Sequence, residues 1–123
     1  MRAIVIDDSK AIRRIMGNIM RELNFEVFEA ENGQQGLEQL ELHGAPDVAL
    51  VDWNMPVMNG LDFVRSIRAN PEYDLVPVIM VTTETEMERV VQALTEGVNE
   101  YVMKPFDRAS IQDKLQLIGV GCN

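Results

Sequence analysis

A regular alternation of short apolar runs with longer segments of helical periodicity is the feature that most constrains this fold. Apolar runs of this length, bounded by polar and turn-forming residues, predict buried β-strands. The five runs occupy residues 3–6, 25–30, 48–51, 76–81 and 101–103. Glu26 and Glu29 interrupt the second run, which places that strand nearer the edge of the sheet. Pro77 lies near the start of the fourth run, where a missing N–H is tolerated.

Five helices are predicted between and after these strands, because apolar residues recur there three or four positions apart. The stripes that define the first and fourth helices are Ile12, Ile15, Met16, Ile19, Met20 and Leu23, and Met87, Val90, Val91 and Leu94. The second helix is expected from about Gly33 to His43, with Gly44 as its C-terminal cap. Asp107 is a good N-cap for the last helix. Strands that alternate with helices over short connections predict an α/β fold, a single domain over 1–123 with a doubly wound, five-stranded parallel sheet.

Composition narrows the classes of function that remain open. The formal charge of −9 at pH 7 argues against a nucleic-acid surface, because phosphate backbones are bound by Lys and Arg. The apolar runs are too short to cross a bilayer and the chain begins directly with a strand, so neither a membrane span nor a signal peptide is expected. Cys122 is the only cysteine, which excludes an internal disulfide and fits a reducing, cytoplasmic location.

Polar side chains stand where the apolar runs stop. Asp7 and Asp8 follow the first run, Asp52 the third, Thr82 the fourth and Lys104 the fifth. Ligands of open α/β sheets bind outside the carboxyl ends of the strands, so we expect these five side chains to share one pocket. Three carboxylates held close together repel one another, and in the absence of a cation at least one should have a raised pKa.

A Mg²⁺ ion would relieve this repulsion, because it binds oxygen ligands and usually takes one or two carboxylates together with waters. Lys104 and Thr82 could then hold a phosphoryl group that is transferred to a carboxylate nucleophile. Each residue alone has a simpler interpretation. Asp7 and Asp8 would be solvated turn residues, Lys104 a structural salt bridge, and Thr82 a strand-end or helix-cap residue. Their occurrence together at the ends of separate strands favours the metal and phosphoryl site.

Several short segments of this chain also resemble a known family. The segments are Asp7-Asp8-Ser9, Val51-Asp52-Trp53-Asn54-Met55-Pro56, Asn59-Gly60, Val81-Thr82, Tyr101 and Lys104-Pro105-Phe106. In order and spacing they resemble the receiver domain of bacterial two-component response regulators, and within it the stand-alone, chemotaxis-type (CheY-like) regulators. The resemblance covers essentially the whole chain. It implies a flavodoxin-like fold with five helices and the strand order 2-1-3-4-5.

The resemblance implies a role for each site residue. Asp52 would be the phosphoacceptor, which takes a phosphoryl group from a sensor histidine kinase or a phosphotransfer protein. Mg²⁺ would be the cofactor, bound by Asp8, Asp52 and the backbone carbonyl of Asn54, with Asp7 acting through water. Lys104 would contact the phosphoryl group and Asp52.

The resemblance also implies a switch that follows phosphorylation. Thr82 would hydrogen-bond the phosphoryl group and move inward, which would let Tyr101 change rotamer. The signal would pass through the face formed by the fourth helix, the fifth strand and the fifth helix to a downstream protein, of which the flagellar motor is one candidate. Asn54 and Glu84 match a pair associated with rapid phosphoryl loss, so we expect a lifetime of minutes or less. Thr83 is bulkier than the residue common at its position.

Two other classes share parts of this pattern. A flavodoxin-like FMN binder would need a phosphate-cradling loop after the first strand, where Asp7 and Asp8 would repel a phosphate. A Mg²⁺-dependent, phosphatase-like enzyme with an aspartyl nucleophile would normally have that nucleophile at the end of the first strand. It would also have a lid domain, for which this chain has no room. We therefore expect a phosphoacceptor regulator whose only chemistry is its own phosphorylation and dephosphorylation, not an enzyme.

Overall fold

The apolar runs form one parallel sheet in the computed structural model, which describes residues 1–120. The strands are β1 (Arg2–Ile6), β2 (Glu26–Ala30), β3 (Val48–Val51), β4 (Val78–Thr82) and β5 (Glu100–Met103). Neighbouring strands are parallel throughout, in the order β2-β1-β3-β4-β5. The predicted α/β fold, its strand order and the edge position of β2 are therefore confirmed. Cys122 lies outside the described residues.

Five helices connect and follow these strands within residues 1–120. They are α1 (Lys10–Glu22), α2 (Gly33–His43), α3 (Gly60–Arg68), α4 (Met87–Thr95) and α5 (Arg108–Leu117). Gly44 follows α2 with a φ of 82°, in the left-handed region that favours glycine, and Asp107 caps α5 as predicted. None of the helices in this part of the chain has the length and apolar character needed to span a membrane.

The helices divide between the two faces of the sheet, and each face has its own core cluster. Alternate residues of β1 belong to different clusters, as the period of a strand requires. On one face the sheet packs against α2, α3 and α4, with Phe63 and Ile67 fully buried. On the other face it packs against α1 and α5, with Met16, Met20 and Ile111 fully buried. Helices cover both faces, so the polar groups of the site lie at the carboxyl ends of the strands.

The fourth strand is shifted two residues from the start of its apolar run. It begins at Val78, because Pro77 has no N–H with which to continue the ladder, although its carbonyl accepts a bond of 2.9 Å from the N–H of Ala49. It ends at Thr82, which is a fully buried strand residue. The hydroxyl of Thr82 is therefore held by the sheet and not by a loop.

Two helical stripes are less buried than their periodicity indicates. Ile15 of α1 is 49% exposed. In α4, Met87, Val91 and Leu94 are all exposed, and Ala93 is the only buried residue of that helix. The spacing of apolar residues therefore predicted where α4 lies, but these side chains face solvent.

Candidate functional site

The three predicted acids lie close together at the carboxyl ends of the strands. One carboxylate oxygen from each of Asp7, Asp8 and Asp52 lies within 4.8 Å of the others. The convergence follows from strand register, because Ile6 pairs with Val51 and the N–H of Asp52 donates to the carbonyl of Ile6 at 2.9 Å. The sheet thus brings together residues that lie 45 positions apart in the chain.

Asp7 and Asp8 are adjacent, yet their surroundings are opposite. Asp7 is fully buried: its Oδ1 accepts from the N–H of Ser9 at 2.9 Å, and its Oδ2 accepts from Lys104 Nζ at 2.8 Å. Asp8 is exposed. Successive residues at the end of a strand point to different sides, which leaves the carboxylate of Asp8 free to bind a solvent-accessible ion.

Asp52 is nearly buried, with 6% of its surface exposed. Its Oδ1 accepts from the backbone N–H of Trp53 at 2.8 Å, and its Oδ2 lies 3.5 Å from Lys104 Nζ. Burial, and then the charge of Asp7, raise the pKa of the Asp52 carboxyl above its ordinary 3.8, against the lowering effect of Lys104. The prediction of a raised pKa among these acids is confirmed, but desolvation contributes more to it than repulsion.

Gly60 lies directly against the backbone of Asp52. A Cβ atom at this position would lie 2.0 Å from the carbonyl oxygen of Asp52, so only glycine allows α3 to begin against the backbone of the site. The N–H of Gly60 also donates to the carbonyl of Trp53 at 2.9 Å. From the sequence, Asn59-Gly60 is expected in the loop before the third helix; the structure instead makes Asn59 the N-cap and Gly60 the first residue of α3. The close backbone approach at Gly60 has no signal in the sequence.

Lys104 joins the two buried acids. Its ammonium lies 2.8 Å from Asp7 and 3.5 Å from Asp52, and the side chain is largely buried. The peptide bond from Lys104 to Pro105 is cis. The salt-bridge interpretation and the phosphoryl-binding interpretation are therefore compatible, because the same ammonium lies beside the candidate phosphoacceptor.

Thr82 and Tyr101 are linked through the backbone of Glu84. The Oγ1 of Thr82 accepts from the N–H of Glu84 at 3.3 Å, and the hydroxyl of Tyr101 donates to the carbonyl of Glu84 at 2.8 Å. Burial raises the pKa of Tyr101 to about 12, with the charges of Glu84 and Asp52 adding to the shift, so its hydroxyl stays protonated and able to donate. Asn54 lies exposed two residues after Asp52.

Two arginines near the site were not singled out from the sequence. Arg13 donates from Nη1 to the backbone carbonyl of Asp7 at 2.7 Å. Arg89 lies 3.6 Å from Glu84, with its guanidinium carbon 5.8 Å from the centre of the buried Trp53 ring. Both are ordinary basic residues of helices in the sequence, and only the packing of α1 and α4 brings them to the site.

The fold and the acidic site are both features of a known protein family. The family described as "Response regulator receiver domain" matches residues 3–116. This chain belongs to the response regulator receiver domain family. Chemotaxis protein CheY1 of Helicobacter pylori is 42% identical over 119 residues, which are 96% of each chain. The CheY homolog of Campylobacter jejuni is 42% identical over 123 residues, 98% of this chain and 95% of that protein.

Solved structures agree with this assignment. Vibrio cholerae CheY4 has a TM-score of 0.87 to this receiver domain, with 31% identity over 95% of this chain and 97% of that one. A chain from a CheX–CheY–BeF3–Mg²⁺ complex of Borrelia burgdorferi has a TM-score of 0.90, over 98% and 90% of the two chains. At 22% identity that second likeness shows the fold alone.

Membership of the family establishes the broad class of function. This receiver domain is a response regulator that depends on phosphorylation, and such domains are signalling proteins and not enzymes in the ordinary sense. Receiver domains bind Mg²⁺ at an acidic pocket, and Asp7, Asp8 and Asp52 form an acidic cluster of that kind here.

Proposed function

We propose that this receiver domain accepts a phosphoryl group on Asp52 from a phosphohistidine of a sensor kinase or phosphotransfer protein, in a reaction that requires Mg²⁺. The observation that carries the proposal is the position of Lys104 between two buried carboxylates, with a third, exposed carboxylate beside them. Three carboxylates together can bind a divalent cation. The ammonium of Lys104 can bind the oxygens of an incoming phosphoryl group.

The donor set fits Mg²⁺ by its chemistry, since all of its ligands would be hard oxygens. Asp8, Asp52 and the backbone carbonyl of Asn54 would bind the ion directly, and Asp7 would act through water. When bound, Mg²⁺ would supply positive charge that offsets both the carboxylates and the phosphoryl oxygens. Asp7 already has partners for both carboxylate oxygens, which suits it to the indirect role.

The chemical step that Asp52 would perform is a displacement at phosphorus. A carboxylate oxygen of Asp52 forms a bond to phosphorus as the phosphorus–nitrogen bond of the phosphohistidine breaks, and the imidazole leaves with the electron pair and takes a proton from solvent. Lys104 would bind a phosphoryl oxygen as negative charge spreads over the group.

The switch would start at Thr82. A hydrogen bond from its hydroxyl to the phosphoryl group would alter the contact that its Oγ1 now makes with the N–H of Glu84. The carbonyl of Glu84 is also the acceptor for the hydroxyl of Tyr101. A change at the phosphoryl group would therefore reach Tyr101 through one residue. The output surface would consist of α4, β5 and α5, a proposal supported by the exposed apolar side chains of Met87 and Met103 on that face.

Phosphorylation with acetyl phosphate and Mg²⁺, followed by intact-protein mass spectrometry, tests the acceptor. We expect one phosphoryl group on the wild-type chain with Mg²⁺ and none in EDTA. Asp52→Asn should accept none, whereas Asp47→Asn, a remote acid that caps the N–H of Arg2, should behave as wild type. Equal labelling of Asp52→Asn and wild type would contradict the proposal, and so would phosphorylation that persists in EDTA.

The lifetime and the phosphodonor are tested in the same system. After removal of acetyl phosphate we expect the label to disappear within minutes in Mg²⁺ buffer, because Asn54 and Glu84 flank the site. A label that lasts for hours would contradict this prediction. Transfer from a phosphorylated histidine phosphotransfer domain to wild type, but not to Asp52→Asn, would show that the proposed class of donor is used.

A further inference from the structure

Every polar group of Asp7 has a partner, and the partners come from β2, from α1 and its N-cap, and from the residue that follows β5. Its N–H donates to the carbonyl of Ala30 in β2, its Oδ1 accepts from Ser9, and its Oδ2 accepts from Lys104. Its backbone carbonyl accepts from Nη1 of Arg13 at 2.7 Å, a charge-assisted hydrogen bond. That carbonyl belongs to the peptide that joins Asp7 to Asp8.

Arg13 is itself held in place. It lies on α1, its side chain is 12% exposed, and its Nε lies 3.4 Å from Oε1 of Glu29 on β2. A guanidinium can bridge two acceptors in fixed directions, and here it joins Glu29 to the Asp7 carbonyl. The peptide between the two acids is therefore tied to both α1 and β2.

We propose that Arg13 is a positioning residue for the Mg²⁺ site, because it fixes the plane of the Asp7–Asp8 peptide. This inference rests on the proposed function, in which Asp8 is a direct ligand. The exposed side chain of Asp8 has no hydrogen bond or ion pair to another described residue, so only its own backbone and rotamer set where its carboxylate lies. Without Arg13, the Asp7 carbonyl loses its charged donor, and the peptide can rotate and carry the Asp8 carboxylate away from Asp52.

Positioning and simple electrostatics predict opposite changes in Mg²⁺ affinity when Arg13 is removed. Arg13 is a positive charge beside three acids, so removal of the charge alone should strengthen Mg²⁺ binding. Removal of an outer contact that orients a ligand should weaken it. A weaker site after loss of Arg13 can therefore come only from lost geometry.

Arg21 provides a matched control within the chain. Its Nη2 lies 3.5 Å from Oε2 of the same Glu29, and its Nη1 donates to Asn18. It therefore shares the partner of Arg13 and the helix α1 without contacting Asp7. A general effect on α1 or on Glu29 should appear in both variants, whereas positioning should appear only at Arg13.

The experiment is a Mg²⁺ titration of the full chain by isothermal calorimetry, checked by the fluorescence of Trp53, at a temperature where each variant is folded. Arg13→Met keeps much of the apolar stem and removes the donor, and we expect its affinity for Mg²⁺ to fall about tenfold. Arg13→Lys keeps the charge but cannot reach both acceptors, so its affinity should lie between that of Arg13→Met and wild type. Arg21→Met should bind as wild type.

Equal or tighter Mg²⁺ binding by Arg13→Met would overturn the inference, and so would an equal loss in Arg21→Met. Wild type that binds no Mg²⁺ would instead overturn the proposed function, which is a separate result. Thermal melts in EDTA show how far each variant is destabilised without the ion. If Arg13→Met does not fold, Arg13→Gln, which is shorter but polar, takes its place under the same criteria.

Discussion

Helices α3 and α4 both have nine residues and both follow a strand of the site, yet α3 buries five of them and α4 only Ala93. The N-cap of α3 is Asn59, whose side chain accepts from the N–H of Asp62 at 2.8 Å, and its first residue packs on the backbone of Asp52. The first turn of α4 has no side-chain cap, and Met87 at its start is exposed.

The far end of α4 is better attached than its start. Arg65 of α3 forms an ion pair of 3.0 Å with Glu96, and Nη2 of Arg68 donates to the carbonyl of Gly97 at 2.8 Å. The β3 side of the site is therefore packed firmly against α3, next to Asp52, the phosphoacceptor that we propose. On the β4 side, the end of α4 near the site is held by Arg89, which lies 3.6 Å from Glu84 and over the Trp53 ring, while most of the apolar residues of that helix stay exposed.

The largest expected effect concerns the core contacts of the two helices. Ile67→Ala in α3 should lower the free energy of unfolding by about 3 kcal/mol, because Ile67 is fully buried and its removal leaves a cavity. Leu94→Ala in α4 should lower it by less than about 0.5 kcal/mol, because Leu94 is 45% exposed. Urea denaturation in EDTA measures both, and similar losses would break the comparison between the helices.

A somewhat smaller effect is expected at Gly60. Gly60→Ala should destabilise by about 2 kcal/mol, because the added Cβ must displace the Asp52 carbonyl. Alanine otherwise favours a helix over glycine by about 1 kcal/mol, so a gain in stability would mean that α3 can move away from Asp52. Gln92→Ala, at an exposed position of α4, is the control and should leave urea denaturation unchanged.

The caps of the two helices sharpen the contrast further. Asn59→Ala should lower the free energy of unfolding by about 1 kcal/mol, because the N–H of Asp62 loses its acceptor. Glu86→Ala, at the equivalent position of α4, should change it little, because that side chain accepts no bond from the helix. Chemical denaturation of the pair measures the difference. Equal losses would show that α4 is capped in solution.

The smallest expected effect is a pH dependence on the β3 side. Burial raises the pKa of Asp52 in the folded chain, so the stability that this residue contributes is complete below its unfolded pKa of 3.8 and is lost as pH rises through the folded value. In EDTA, Asp52→Asn should therefore be more stable than wild type at pH 7, and the gap should narrow as pH falls. Urea denaturation at several pH values tests this, and a gap that does not change with pH would contradict it.

Sequence reasoning succeeded where a local pattern determines a global feature. Each strand ends at or within one residue of the end of its apolar run, and parallel strands have their carboxyl ends on the same side of the sheet. Asp7, Asp8, Asp52 and Lys104 could therefore be assigned to one place, and Thr82 to the end of β4. Sequence reasoning predicted the position of α4 but not the exposure of its apolar residues, because the spacing of apolar residues is the same whether they pack in the core or face solvent. The close approach of Gly60 to the backbone of Asp52 also has no signal in the sequence, because it depends on how α3 packs against the end of β3.

The alternating fold, the side of the sheet that carries the site and the residue types gathered there can all be read from the sequence, because they follow from periodicity and from where each strand stops. Three further features depend on the packing of the whole chain: which acid is buried and which is exposed, which carboxylates share Lys104, and the contact of Arg13 with the Asp7 carbonyl. Burial and hydrogen-bond geometry depend on what packs from elsewhere in the chain, and spacing along the sequence does not record it.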